Sequence, residues 1–220
     1  MSGNKTSTPK CSAPGNKTLQ LAEYFPNSKI FAFEINKRRF QLLKSNINNC
    51  NFNTNIIPLN KDFLLINPND KIYQNVEIFL ADPSCSGSGT TNNAKDYLPD
   101  AMNKDCSIKI AGSQIEKENF KRLNDLAKLQ IDIIGHCLKF PKVKFVSYST
   151  CSIFLTENEY VVEKILENNK FVKMVDIFNI GAGFEKYHKG NTENTKGTLR
   201  VCRKCHNEEG FYVSLFEKII

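Results

Sequence analysis

Phe79–Gly89 reads FLADPSCSGSG. It starts as an apolar run, breaks at Asp82-Pro83, and then sets Cys85 among serines and glycines. An apolar run cut short by an acid and a proline marks a buried strand entering a turn. The same design returns at Phe145–Ile153, FVSYSTCSI, where a second apolar run delivers Cys151. Outward from these two runs, KIFAFEI (29–35), TNIIPLN (54–60) and GFYVSLFEKI (210–219) also read as strands. Between them, NKRRFQLLKSNINN (36–49) places Phe40, Leu43 and Ile47 at helical spacing. The longest periodic segment is 116–140, with Phe120, Leu123, Leu126, Ala127, Ile131, Ile134 and Leu138 on one predicted face and Pro141 as its stop. TENEYVVEKILENN (156–169) predicts a helix with Thr156 as N-cap and Glu159 completing a capping box. Strands alternating with helices predict an α/β protein with a doubly wound, mostly parallel sheet.

Such sheets bind ligands outside the carboxyl ends of their strands, where the strand order reverses. Asp82, Cys85 and Cys151 are therefore predicted to project into one crevice. A thiol acts as a nucleophile only as the thiolate, so a nearby cation is expected, and Lys17 is the candidate. CSAPGNKT (11–18) is a small Gly/Pro-containing loop opening a helix, whose backbone N–H groups could face a carboxylate or phosphate. It lacks the three-glycine spacing of a dinucleotide fingerprint and the Gly-Lys of a Walker loop. Glu34 ends the next strand about 20 residues on, where an acid hydrogen-bonds ribose hydroxyls. Loop and acid together predict an adenosine-containing cofactor.

The chain has 220 residues, 40% of them apolar, enough for one α/β domain with a substantial core. No run of eighteen apolar residues occurs, and the opening MSGNKTSTPK has no apolar segment of the signal-peptide kind. The eight cysteines read as free thiols rather than a disulfide framework. A net charge of +7 is compatible with a solvated basic surface or with a polyanionic partner such as RNA, and charge does not choose between them.

CSAPGNKT, FAFEINKRR, ADPSCSGSG, LQIDIIGHCLKFP, YSTCS with TENEYVV, and GFYVSLFE occur in the order of the motifs of a known family. The chain resembles the Sun/Fmu (nucleolar-protein) family of RNA cytosine carbon-5 methyltransferases over nearly its whole length. LKFP before the fifth strand is most similar to the eukaryotic branch that methylates large-subunit ribosomal RNA. The resemblance implies a class I S-adenosylmethionine-dependent methyltransferase of Rossmann-like, seven-stranded type. It implies that Cys11, Ser12, Ala13, Pro14, Gly15, Asn16 and Lys17 wrap the cofactor's amino-acid end. Glu34 would hold the ribose, Arg39 make a basic cofactor contact, Asp62 sit near the adenine, and Asp82 lie between cofactor and base. Cys151 would attack carbon-6 of cytosine, and Cys85 would assist proton removal and release. Asp82 would hydrogen-bond the N3/N4 edge and Lys17 the ring carbonyl. DNA cytosine methyltransferases carry their nucleophile after a proline on the fourth-strand loop, which would favour Cys85; the STCS motif favours Cys151. The expected partner is RNA, ribosomal RNA in particular, with no DNA and no membrane, and the chain is expected to act as a monomer. Its place would be the nucleolus in a eukaryote and the cytoplasm otherwise.

Residues 1–10 depart from this pattern. The family has a hydrophobic strand ending in Asp-x-Cys there, whereas this chain has a polar tract and Pro9-Lys10-Cys11. The first strand is therefore expected to be missing or disrupted, the N-terminus truncated, and the catalytic domain confined to 11–220. On that expectation the alternative function is an inactive fragment or RNA-binding remnant. Residues 176–208 are predicted to form a long polar loop. The seven asparagines of 46–60 read as compositional drift, and CRKCH (202–206) as a loop with incidental thiols. His136 is read as structural.

Overall fold

The computed structural model describes residues 6–10, 12–50, 55–90 and 114–219. They fall into two compact units, one from Met1–Pro83 with Ile133–Ser147, the other from Ser84–Asp132 with Tyr148–Ile220.

In the first unit, β1 (Thr6–Lys10), β2 (Ile30–Phe33), β3 (Ile56–Leu59) and β4 (Val76–Ala81) lie in the order β3-β2-β1-β4, all parallel. Helix α1 (Asn16–Tyr24) links β1 to β2, and α2 (Lys37–Asn48) links β2 to β3. The order reverses at β1, which pairs with β2 on one side and β4 on the other. The register aligns the strand ends: Lys10 lies opposite Phe33 and Ala81, and Phe33 opposite Leu59. Residues 12–15, Glu34, 60–62 and Asp82 therefore all follow one row of strand termini.

The expectation of a missing first strand is overturned, since Thr6–Lys10 is the central strand of this unit, with Pro9 opposite Leu80. Strand pairing is made by the backbone, and proline removes one N–H while its φ remains compatible with extended chain. The side-chain polarity of the tract was a poor guide for that reason. With β1 present, the inactive-remnant reading loses its motive.

Two clusters fill this unit. Ala13, Ala22, Ile30, Ala32, Leu43, Ile47 and Ile56 form one, under α1 and α2. The other is aromatic. Phe63 lies 5.9 Å from Phe140 and 5.6 Å from Phe79 between ring centroids. His136 packs edge-on to Phe63 at 4.9 Å, and its Nε2 is 3.0 Å from the Ile66 carbonyl oxygen, so it is a structural histidine. Phe140 of the LKFP stretch is part of this core.

The unit boundary falls within α3 (Gln114–Cys137) and within β5 (Phe145–Thr150). On α3, Leu123, Ala127, Gln130, Ile133, Ile134 and Cys137 are buried, while Ile131 and Leu126 are only partly so. The buried stripe is thus turned from the expected one, and a glutamine lies on it. Phe120 lies among residues whose side chains are not described.

In the second unit, β9 (Phe211–Lys218) pairs antiparallel with β6 (Val172–Val175) and with β8 (Leu199–Val201). β8 in turn pairs with β7 (His188–Lys189). The tract 176–208, expected to be a loop, holds two of these strands and the short helix α5 (Arg203–His206). Its strands are too short to show a sequence period. Helix α4 (Glu159–Asn168) starts two residues later than predicted: Asn158 is its N-cap, without a side-chain cap hydrogen bond. The capping box of Thr156 and Glu159 does not form, because Glu159 is committed to Arg200. Cys50, Cys85, Cys137, Cys151 and Cys205 are free thiols; Cys202 is disulfide-bonded, against the expectation of free thiols throughout. Its backbone N–H donates to His206 Nδ1 at 2.8 Å, giving CRKCH a local structural role. Among the described residues no helix is long and apolar enough to cross a membrane.

Candidate active site

Two groups of side chains stand where the sequence placed chemistry. The first follows the strand ends of the parallel sheet. Cys11 lies outside the described residues. Ser12 N–H donates to the Phe33 carbonyl at 3.1 Å, which fixes the loop against the end of β2. Gly15 caps α1 at φ 114°, a left-handed conformation that favours glycine. A Cβ there would meet Leu43 Cδ1 at 3.0 Å, so both backbone and packing call for glycine. No side chain caps the helix that Asn16 begins, and a helix N-terminus is a place suited to a carboxylate.

Glu34 is 2% exposed at the end of β2. Its Oε1 accepts the Asn36 N–H at 2.9 Å, and its Oε2 has no hydrogen-bond partner. Arg39 Nε stands 3.6 Å from that oxygen, an ion pair too long for a hydrogen bond. Arg39 is otherwise used to hold the loop, its Nη2 donating to the Ala13 carbonyl at 2.8 Å. A buried carboxylate oxygen with a free lone pair demands a donor, and a hydroxyl-bearing ligand supplies one. Asp62 Oδ1 accepts the Leu64 N–H at 2.9 Å and so caps the turn 63–65.

The asparagine-rich tract has a structural use that composition alone concealed. Asn46 Nδ2 donates to the Pro14 carbonyl at 2.7 Å, and Asn60 Nδ2 to the carbonyls of Glu34 and Ile35 at 2.7 and 3.1 Å. Both tie down chain segments next to Gly15 and Glu34. Lys17 Nζ and Asp82 Oδ2 form an ion pair at 2.5 Å, their side chains 41% and 32% exposed. The two residues predicted to act together are therefore in contact.

The second group is the thiol pair. Cys85 Sγ and Cys151 Sγ are 3.3 Å apart. Although 66 residues separate them, they converge as predicted. The hydrogen bond with Cys151, followed by burial and by the charge of Cys151, pushes the Cys85 thiol far above the ordinary cysteine range. Cys85 is thus a sulfur held in its protonated form beside Cys151. Because the shift is upward, the Cys85 thiolate forms only above the pH at which an unfolded cysteine ionises, about 9. Alkylation of Cys85 in the native chain is expected to keep accelerating past pH 10, whereas in urea it levels off. At pH 9 the native rate should be at least about tenfold lower. Peptide mapping by mass spectrometry after timed iodoacetamide treatment measures both, and matching profiles would refute the assignment.

A buried polar network surrounds the pair, and the sequence reading missed most of it. Glu157, fully buried, accepts from the Ser86 N–H at 2.9 Å, from Ser152 Oγ at 2.6 Å and from Gln130 Nε2 at 3.1 Å. Ser86, Ser88 and Ser152 hydroxyls lie 3.0–3.3 Å from one another. Gly89 N–H donates to the Cys151 carbonyl at 2.9 Å, and a Cβ on Gly89 would come within 2.9 Å of that same oxygen. Close approach of the two loops therefore requires glycine there. Arg200 and Glu159 form a buried bidentate pair at 3.1 and 2.5 Å, and Arg200 Nη1 donates to the Ile153 carbonyl at 3.0 Å.

Comparison with known proteins adds the following. The family model described as 16S rRNA methyltransferase RsmB/F matches residues 3–217. A Schizosaccharomyces pombe protein, 25S rRNA (cytosine-C(5))-methyltransferase rcm1, is 41% identical over 156 residues, covering 71% of this chain and 31% of that one. The Arabidopsis thaliana 25S rRNA (cytosine-C(5))-methyltransferase NSUN5 is 34% identical over 209 residues, covering 94% of this chain and 35% of that one. The chain thus spans about a third of the length of these relatives. Among solved structures, a methyltransferase homologue from Pyrococcus horikoshii superposes with TM-score 0.69 at 21% identity, covering 99% of this chain and 62% of that one. NSun6 from the same organism, with SFG, gives TM-score 0.70 at 18% identity over 98% of this chain and 48% of that one. At these identities the likeness establishes the fold, a class I Rossmann-like α/β fold.

Proposed function

We propose, on the premise that the chain belongs to the 16S rRNA methyltransferase RsmB/F family, that it methylates carbon-5 of a cytosine in large-subunit ribosomal RNA. S-adenosylmethionine is the proposed donor, which supplies an electrophilic methyl group when bound. The observation that carries the reading is the pair of cysteine sulfurs 3.3 Å apart, with the Cys85 thiol held protonated beside Cys151.

Two features fit the donor. Glu34 Oε2, which has no hydrogen-bond partner, suits ribose hydroxyls, and the start of α1, without a side-chain cap, suits a carboxylate. Residues 11–17, Glu34, Arg39, Asp62 and Asp82 are the proposed binding set. Carbon-5 of cytosine is a poor nucleophile. Addition of the Cys151 thiolate to carbon-6 makes it enamine-like. Asp82 on the N3/N4 edge and Lys17 on the ring carbonyl stabilise the charge that develops. After methylation the ring still carries a carbon-5 proton. Cys85 assists its removal, and Cys151 then leaves. The base must be unstacked to be reached. The work of such an enzyme belongs in the nucleolus of a eukaryotic cell.

The test is methyl transfer from tritiated S-adenosylmethionine to large-subunit ribosomal RNA, with the product identified after nuclease digestion. 5-Methylcytosine is expected. Label on an exocyclic amine, or no label with the donor demonstrably bound, refutes the reading.

A further inference from the structure

Cys85 and Cys151 sit on separate segments, and a distance of 3.3 Å between them needs something to hold it. The bonds around Glu157 supply it. Ser86, directly after Cys85, donates its N–H to Glu157 Oε1, and Ser152, directly after Cys151, donates its hydroxyl to Oε2. Gln130 from α3 donates one amide hydrogen to Glu157 Oε1 and the other to the carbonyl of Ser84, directly before Cys85, each at 3.1 Å. One carboxylate with one amide thus grips both neighbours of Cys85 and the neighbour of Cys151. Tyr148 hydroxyl lies 3.0 Å from Gln130 Oε1 and also meets the Glu157 carbonyl, which fixes the amide's orientation.

We propose that Glu157 is a positioning residue that sets the separation of the Cys85 and Cys151 thiols. The inference rests on the reading of these cysteines as a working pair. It concerns geometry rather than charge. An amide at 157 can accept at the Oε1 position and donate from the Oε2 position to Ser152, whose proton then turns to Ser88, 3.3 Å away. An apolar side chain of similar size can do neither, and leaves the Ser86 N–H and Gln130 amide without their acceptor.

The experiment measures thiol separation directly, with neither RNA nor methyl donor. The full chain is treated with dibromobimane, a short reagent that bridges two nearby thiols, and the Cys85–Cys151 bridged peptide is followed by mass spectrometry. Single-site alkylation of exposed Cys205 serves as the control. Glu157→Leu is expected to slow bridging about tenfold, and Glu157→Gln to stay within about twofold of wild type, because reaction between held groups falls steeply with small displacements. Should Glu157→Leu fail to fold by circular dichroism, Gln130→Leu replaces it, with bridging slowed about threefold. Wild-type bridging in the leucine variant, or equal slowing by leucine and glutamine, overturns the proposal. A failed methyl-transfer assay with the expected bridging pattern would count against the function and not against this role.

Discussion

Arg200→Met is expected to destabilise the chain by about 3–5 kcal/mol, the cost of breaking a buried ion pair by removing one partner. The Arg200 and Glu159 side chains are 3% and 1% exposed, so the discount that applies to surface pairs does not apply here. Methionine fills similar space but leaves Glu159 with the Asn191 N–H at 3.2 Å as its remaining donor of those that face it, and leaves the Ile153 carbonyl without its 3.0 Å partner. It also removes the guanidinium stacked 5.5 Å from the ring centre of Tyr212. The measurement is the urea midpoint at pH 7 against wild type. A pH signature separates this cause from lost packing. An unpaired buried carboxylate has its folded-state pKa raised by desolvation, so the folded state binds more protons than the unfolded one. The variant's deficit should therefore shrink as pH falls toward 5. Arg200→Met with Glu159→Leu should recover much of the loss, since a well-packed apolar pair can replace a buried ionic one. A deficit below about 1 kcal/mol, the range of exposed pairs, would show that the pair is not the anchor it is taken for.

Arg200 also shows where sequence reading stopped. β2 and β4 were legible because each is an apolar run ended by an acid, and the register then placed Glu34 and Asp82 at one level. The thiols were legible because Ser and Gly flank them where a buried cysteine would have apolar neighbours. β1 was not, because Thr6–Lys10 has no apolar run in its sequence, and its pairing with β2 and β4 is made by the backbone. Arg200 lay in a tract with no period. Glu159 was read as part of a capping box, the commonest role of an acid just before an apolar run, and Glu157 went unread. Gln130 could have been found: Leu123, Ala127, Gln130 and Ile134 share a helical face, and a polar residue on a core stripe signals a buried hydrogen-bonding partner.

Cys151→Ala and Cys85→Ala are expected to fail in opposite ways. Without Cys151 no bond to carbon-6 forms, and methyl transfer should fall by about 10⁴-fold or more, the scale of loss when a covalent nucleophile is removed. No protein–RNA species should survive denaturing electrophoresis. Without Cys85 the first bond still forms, but the carbon-5 proton stays and Cys151 cannot leave. A covalent protein–RNA species should then accumulate in the presence of donor and disappear on ribonuclease treatment. The geometry gives this order a physical basis. The main cause holding the proton on Cys85 is its hydrogen bond with Cys151 across 3.3 Å, and the charge of Cys151 adds to it. Once Cys151 is bonded to carbon, both causes vanish, and Cys85 ionises more readily at the step that needs a base. If Cys151→Ala accumulates the adduct and Cys85→Ala forms none, the roles are exchanged. If neither variant changes adduct formation or turnover, the two sulfurs are bystanders and the covalent route is wrong.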